Sequence, residues 1–106
     1  MSVVNLKRKE VVAKKEYNDD CYDHLNWGLL KVRGGEKTLD IEEAYDLGIS
    51  IKDIETLQAA CDRNFKILPG EKHIYIVGKY DDEFYTCRFS LAISAILNKY
   101  ELWYEE

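Results

Sequence analysis

One stretch, His73 to Tyr104, constrains the fold more than any other part of the chain. It contains two runs in which β-branched and aromatic residues alternate, and the acidic turn Tyr80-Asp81-Asp82-Glu83 separates them. Alternation with a period of two on both sides of a short polar loop predicts a β-hairpin, here over 73–89. Ser90 can cap a following helix over 91–98, in which apolar residues recur on one face. We therefore expect a hairpin with an apolar helix packed across it.

Two short helices are predicted in the middle of the chain. Asp40 opens a D-x-x-E capping box before a helix over 41–47, and Gly48 can end that helix in the left-handed conformation. Ser50 opens a similar S-x-x-D pattern before a second helix over 51–63. These helices are therefore expected to be joined by a tight turn.

A further hairpin is predicted over 65–78. Phe65–Leu68 alternates as a strand, and Leu68-Pro69-Gly70-Glu71 fits a type II turn, because proline fixes φ at its second position and glycine supplies a positive φ at its third. That turn leads into the first strand of the other hairpin. Upstream, residues 21–32 are expected to form a short strand or a helical turn that ends at the Gly34-Gly35 loop.

The length of the chain predicts a single domain over 1–106, of the α+β class, with an antiparallel sheet of three to five strands. Residues 1–15 form either a basic arm or a first strand, and their valines favour the strand. Residues 40–64 hold the helix pair, and 65–106 hold the hairpins, the C-terminal helix and a tail. Within that tail, 99–106 alternates as a strand would and also continues a helical face, so both conformations stay open.

Composition places the chain among soluble globular proteins, with 46% hydrophobic and 33% charged residues. No run approaches the roughly 18 uncharged apolar residues that a membrane span needs. The first 13 residues are too polar for a signal peptide, so we expect a cytoplasmic protein that does not contact membranes. The three cysteines are odd in number and widely spaced, which favours buried or free thiols over a disulfide framework.

The net charge of −5 is unevenly distributed along the chain. Residues 1–15 carry five basic side chains and one acidic side chain, a net charge of +4, whereas residues 16–106 carry 10 basic and 19 acidic side chains, a net charge of −9. The acidic body disfavours nonspecific binding to nucleic acid, because the attraction to phosphates is electrostatic.

Residues 40–58 resemble the helix-turn-helix of bacterial and phage DNA-binding proteins. The resemblance rests on the relative spacing of a small residue, a glycine and two apolar residues, which are Ala44, Gly48, Ile54 and Leu57. It implies that the second helix reads a DNA groove, with 65–78 as a wing and the basic arm on the phosphates. The second helix nevertheless carries two basic and three acidic side chains, whereas groove-reading helices bring positive charge. Because any tight helical corner needs the same spacing, we take DNA binding as the alternative function.

Neither a metal site nor a catalytic site is expected. Cys21-x-x-His24 has the spacing of a zinc knuckle, but structural zinc sites draw on two close pairs, and Cys61, His73 and Cys87 are single residues at distant positions. The chain has no nucleophile elbow, no phosphate-cradling glycine loop and no paired His/Glu helix motif. We therefore expect a protein that is not an enzyme and that uses no cofactor.

Aromatic side chains supply the candidate binding site. The chain has eight tyrosines, two tryptophans and three phenylalanines, and many of them lie beside carboxylates. Rings provide hot spots in protein interfaces, and surrounding carboxylates steer a basic partner. The predicted partner-binding residues are Tyr80, Asp81, Asp82, Glu83, Tyr85, Trp103 and Tyr104.

The sequence thus predicts a small, acidic, non-enzymatic protein-binding module. We expect it to act by occluding a basic site on a protein partner, in the manner of an inhibitor, an immunity protein or a phage-encoded modulator. An uncovered sheet edge at 84–89 also permits a homodimer. The alternative is a helix-turn-helix DNA-binding protein that uses residues 40–58 and the basic N-terminal arm.

Overall fold

The computed structural model describes residues 3–26 and 28–103, which form seven strands and four helices of an α+β fold. In chain order these elements are β1 (Val3–Val12), β2 (Tyr17–Asn18), α1 (Cys21–Leu25), β3 (Leu30–Arg33), β4 (Glu36–Leu39), α2 (Ile41–Asp46), α3 (Ile51–Asp62), β5 (Lys66–Ile67), β6 (Lys72–Tyr80), β7 (Glu83–Ser90) and α4 (Leu91–Lys99). No helix in these ranges is long and apolar enough to cross a membrane.

The main sheet is antiparallel and has the strand order β1-β6-β7. The predicted hairpin over 73–89 is confirmed, because β7 pairs with β6 along its whole length, from Ser90 opposite His73 to Glu83 opposite Tyr80. Asp81 and Asp82 form the connecting turn with φ of +50° and +65°. Two residues with positive φ are what a type I′ turn requires, and its twist matches that of the strands. Of the two possibilities for residues 1–15, the strand is found, and it pairs with β6.

The predicted hairpin over 65–78 is wrong, although its turn is present. Gly70 has φ of +88°, and the N–H of Glu71 donates to the carbonyl of Leu68. The strand before the turn, β5, pairs with β2, while β1 takes the position beside β6. A type II turn splays the strands that flank it, so it does not bring them into register. The ten-residue β1 is therefore free to cover that edge of β6.

The three longer helices are confirmed, and their bounds lie within one residue of the expectation. Each begins at a side-chain cap. Asp40 accepts the N–H of Glu43 at 3.2 Å, Ser50 accepts the N–H of Asp53 at 3.2 Å, and Ser90 accepts the N–H of Ile93 at 3.5 Å. Such caps satisfy main-chain donors that have no partner within the helix.

The segment between β2 and α2 contains more structure than the sequence indicated. Residues 21–25 form α1, which agrees with the helical alternative for that region. Gly34-Gly35 is the two-residue turn of a hairpin that joins β3 and β4, with Arg33 opposite Glu36. Gly-Gly between two short strands is itself a hairpin signal, so this strand pair was missed by treating the glycines as a loop. In the tail, Tyr100 to Trp103 are neither strand nor helix.

The hydrophobic core lies beside the main sheet, among the helices and β4. Its buried residues are Cys21, Leu25, Leu29, Leu39, Ala44, Ile49, Ile54, Leu57, Ala60, Cys61, Phe65, Ile93, Ile96 and Leu97. None of them comes from β6 or β7. The sheet therefore extends away from the core, and much of both its faces is accessible to a partner.

Candidate functional site

The register of the main sheet assigns its side chains to two faces. Successive side chains of a strand point to opposite faces, and paired positions of neighbouring strands share a face. We call the face that α4 partly covers the helix-side face, and it carries Arg8, Ile74, Ile76, Tyr85, Cys87 and Phe89. We call the other the open face, and it carries Lys7, Lys9, Tyr75, Lys79, Phe84 and Arg88.

Four of the predicted partner-binding residues form the tip of the β6–β7 hairpin. Tyr80 is 40% exposed, and Asp81, Asp82 and Glu83 are exposed as well. Nζ of Lys79 lies 3.7 Å from Oδ1 of Asp82, in a contact that is largely open to water. The tip is therefore an accessible acidic surface, which we call the acidic tip (Tyr80–Glu83).

Tyr85 and Trp103 both lie on the helix-side face. Tyr85 is half-buried and lies directly opposite Gly78 of the neighbouring strand β6, on the same face. Trp103 packs edge-on against Phe89, with ring centroids 5.5 Å apart, and its Nε1–H donates to Oδ1 of Asn98. The two predicted site residues thus share one face of the sheet, with Tyr85 toward the acidic tip and Trp103 at the Phe89 end of β7. The last predicted site residue, Tyr104, lies outside the described residues.

A cavity of about 330 Å³ opens on the helix-side face, between the sheet and α4. Its lining consists of Arg8, Ile74, Ile76, Phe89, Ser94, Asn98 and Trp103. The sheet contributes two isoleucines and a phenylalanine together with the charged Arg8, whereas α4 contributes a hydroxyl and an amide. The sequence did not indicate this cavity, since it depends on where α4 crosses the sheet.

The helix pair is built as a packed corner. Ala44 and Leu57, two residues of the helix-turn-helix spacing, are fully buried. The beginning of α3 is tied to the end of α4, because the Tyr100 hydroxyl donates to Asp53 at 2.6 Å and accepts the N–H of Ser50 at 3.0 Å. These hydrogen bonds, together with an ion pair to Lys99, hold the pKa of Asp53 below its ordinary value. The first turn of α3 is therefore engaged within the protein.

Cys21 and His24, which have knuckle spacing, serve different parts of the structure. Cys21 is completely buried in the core, and burial raises the pKa of its thiol. The His24 ring packs against Trp103 at a centroid distance of 4.7 Å, and burial lowers its pKa. Within residues 3–26 and 28–103, no three metal-ligating side chains come together in a way that could hold an ion.

Two aspartates anchor α1 to the outer edge of β7. Asp19 is 3% exposed, and its Oδ1 accepts the N–H groups of Cys21 and Ser90 at 3.0 and 3.2 Å. Asp20 accepts the N–H of Arg88 through Oδ2 at 2.7 Å. Burial raises the pKa of both carboxyls. The edge that we expected to be open at 84–89 is thus covered at its C-terminal end.

An aromatic–cation stack crosses the open face. The Arg88 guanidinium lies between the rings of Tyr17 and Tyr75, 3.7 and 4.4 Å from their centroids. Its NH1 lies 2.7 Å from Nε2 of the buried His73, whose Nδ1 lies 3.3 Å from the carbonyl of Glu71. Because a guanidinium only donates and a carbonyl only accepts, these partners fit a histidine protonated on Nδ1 alone. The stack gives the open face a rigid cationic centre that was not recognised in the sequence.

Comparison of the chain with models of known protein families, with curated proteins and with solved structures gives no match. Function must therefore be argued from the surfaces described above.

Proposed function

We propose that this protein is a small, non-enzymatic protein-binding module that receives its partner on the helix-side face and the acidic tip. The observation that carries the proposal is the shared position of two predicted site residues, Tyr85 and Trp103, on one incompletely covered sheet face. The acidic tip lies at the end of that same face. This arrangement supports a contact surface with an apolar centre and a charged rim, as protein interfaces have.

The cavity supplies a place for an anchoring side chain. Ile74 and Ile76 are only half-buried, because α4 covers one part of the sheet face and leaves the remainder open. Interfaces concentrate their binding energy in a few well-packed pockets that exclude water. An apolar side chain of the partner, seated in the cavity beside the packed rings of Phe89 and Trp103, would cover the two isoleucines and add contacts to both rings.

The acidic tip defines the chemistry of the partner. Its three carboxylates project from a tight turn, and within the described part of the chain only that of Asp82 forms an ion pair, with Lys79. Exposed charges of this kind raise association rates and select a complementary surface more than they add affinity. The partner is therefore a protein with lysine or arginine residues beside an apolar projection, and the module acts by occluding that basic site.

DNA binding through α3 has less support. The exposed side of α3 includes Lys52, Glu55 and Asp62, so carboxylates outnumber the basic group there. The N-terminal turn, which a recognition helix presents to base edges, is held by Tyr100 and Lys99. A groove-reading helix needs the opposite charge balance and a free first turn.

The charge of the tip can be removed without changing its turn. Asn accepts a positive φ at least as readily as Asp, so Asp81→Asn with Asp82→Asn should keep the type I′ geometry. We expect the tagged variant to capture less of a specific partner from a host lysate than the wild-type protein, as measured by quantitative mass spectrometry. Glu42→Gln with Asp46→Asn is the matched control, because it removes two exposed carboxylates from α2.

The aromatic part of the surface has its own matched pair on β7. Tyr85 and Phe84 are neighbours whose side chains lie on opposite faces of the sheet. We expect Tyr85→Ala to weaken binding of the captured partner, measured by titration of the purified pair, and Phe84→Ala to leave it unchanged. Equal capture by the wild-type protein, the tip variant and Tyr85→Ala would contradict the proposed function.

A further inference from the structure

The open face of the main sheet is a basic surface on an acidic protein. Strands β1, β6 and β7 together carry six basic and two acidic residues, whereas the rest of the chain carries 9 basic and 18 acidic residues. The register places both acidic residues of these strands, Glu10 and Glu83, on the helix-side face. The strand positions of the open face that lie within 7–11, 73–79 and 84–90 therefore contain no carboxylate.

Two lysines of this face have no ion-pair partner among the described residues. Lys7 and Lys9 are exposed, and neither forms an ion pair within the described part of the chain. The neighbouring Lys7 ammonium lowers the pKa of Lys9, as expected for two like charges held close together on one strand. An anion placed between them would relieve this repulsion. Lys79 adds a third positive charge on the same face, two strand positions from Val77, the residue opposite Lys7. Unlike the other two lysines it has a counter-charge, the exposed Asp82 at 3.7 Å.

Aromatic rings lie among these charges. Phe84 is 71% exposed, more than any other large hydrophobic side chain within 7–26 and 28–103, and its ring centroid is 5.7 Å from Nζ of Lys79. Tyr75 lies opposite Lys9 and is braced on one side by Arg88. The register separates the two rings by four residues along the strands, or about 14 Å. A large exposed ring on a sheet face keeps its apolar surface in water, which is unfavourable, until a partner covers it.

We propose that the open face binds single-stranded nucleic acid, with Lys7, Lys9 and Lys79 on the phosphates and with Phe84 and Tyr75 stacked on bases. Basic grooves interleaved with rings are the physical basis of single-strand binding, because every base has a π-face that a ring can cover. The bases of a duplex are already stacked, so they leave exposed rings uncovered. At 0.1 M salt the Debye length of about 10 Å screens the more distant carboxylates. Asp82 lies closer, with its Oδ1 3.7 Å from Nζ of Lys79, so a phosphate would have to replace it in that water-exposed contact. This activity goes beyond the proposed function, since it uses the opposite face of the sheet.

Fluorescence anisotropy tests the proposal by titrating the full chain into a labelled single-stranded 12-nucleotide oligo(dT) and, separately, into a labelled 12-base-pair duplex. We expect the single strand to bind more tightly than the duplex, and its affinity to fall with salt. Three phosphate contacts predict a slope of about −2 in log K against log salt, at roughly −0.7 per contact. Lys7→Gln with Lys9→Gln should reduce that slope to about −0.7. Lys9→Gln alone and Arg8→Gln form the charge-matched comparison, because each removes one positive charge from β1 and the two side chains lie on opposite faces.

Stacking is tested separately at Phe84, whose exposure makes substitution harmless to the fold. Base–ring stacking predicts a roughly ten-fold weaker affinity for Phe84→Ala, and Phe84→Leu should be weakened nearly as much because it keeps bulk without a π-face. Full retention by Phe84→Leu would overturn the stacking contact. Circular dichroism and urea unfolding establish that each variant is folded.

Four further results would overturn the proposal. Binding of the duplex at least as tight as that of the single strand would indicate simple charge attraction. An equal loss on Arg8→Gln and on Lys9→Gln would show that the open face is not the site. If neither oligonucleotide binds at 50 mM salt, the lysines serve only to keep an edge strand from aggregating. If the protein binds phosphatidylserine vesicles through these lysines and binds neither oligonucleotide, the open face contacts a membrane surface.

Discussion

Gly78 and Tyr85 provide the sharpest test of the packing on the helix-side face. They lie opposite each other on β6 and β7, and the Tyr85 ring covers the glycine. A Cβ at position 78 would overlap Cζ and Oη of that ring and lie 2.6 Å from Cε1. Gly78→Ala must therefore displace the ring of a residue that we place in the partner-binding surface.

The magnitude follows from two opposing contributions. Alanine is preferred over glycine in a strand interior by about 0.5–1 kcal/mol, because it loses less backbone entropy on folding. Overpacking costs typically about 1–3 kcal/mol, and the lower half of that range applies here because the half-buried ring can turn toward solvent. We expect Gly78→Ala to lower the free energy of unfolding by about 1 kcal/mol, and to raise it by about 0.5 kcal/mol in a Tyr85→Ala background.

Urea unfolding of the four proteins in this double-mutant cycle measures the coupling between the two positions. The expected interaction energy is about 1.5 kcal/mol, which corresponds to a shift of roughly 1 M in the urea midpoint at the m-value of a small domain. If Gly78→Ala destabilises the Tyr85→Ala protein as much as the wild-type protein, the strain lies in the backbone and our account of the ring is refuted. Partner binding should weaken with Gly78→Ala alone, since the ring is displaced.

The remaining predictions concern buried and bridging groups. Tyr100→Phe removes the hydroxyl that joins α3 to α4, and we expect the free energy of unfolding to fall by about 1 kcal/mol in urea titrations. The hydrogen bond from Tyr100 holds the pKa of Asp53 below its ordinary value. The carboxylate therefore stabilises the fold above a pH of about 4 and loses that effect as the pH falls through its folded pKa. We expect Tyr100→Phe to reduce this dependence of the unfolding free energy on acid pH. Asp19→Ala leaves two buried N–H groups without an acceptor and should cost about 2–3 kcal/mol, whereas Asp19→Asn keeps an acceptor oxygen and should cost less than about 1 kcal/mol. Because Cys21 is completely buried and burial raises its pKa, a thiol reagent should modify the half-buried Cys87 first and reach Cys21 only on unfolding.

Each of these predictions has a control within the chain. Tyr45→Phe alters an exposed tyrosine of α2 and should change neither stability nor its dependence on pH. Equal destabilisation by Asp19→Ala and Asp19→Asn would show that the carboxylate charge, not the acceptor oxygen, holds α1 against β7. Modification of Cys21 at the same rate as Cys87 in the folded protein would contradict the burial of its thiol.

Local patterns predicted the parts of the fold that local physics determines. Capping by Asp40, Ser50 and Ser90 fixed where three helices begin, because each cap satisfies main-chain donors within a few residues. The hairpin around Asp81 was equally readable, since alternation and a polar turn lie within one short stretch. By contrast, the pairing of β1 with β6 joins segments some 70 residues apart, and no local pattern reveals such a partner.

The sequence by itself determined an α+β class, the limits of the longer helices, the acidic tip and the supply of rings and charges. Only the tertiary structure decided how these groups are shared between surfaces. The pleat of β1 sends Lys7 and Lys9 to one face and Arg8 to the other, so a run of three basic residues serves two different environments. Likewise, Trp103 reaches the face that carries Tyr85 and contacts Phe89 there only because α4 returns the chain across the sheet. Side-chain direction and chain crossing are properties of the folded backbone, and the function of each surface depends on them.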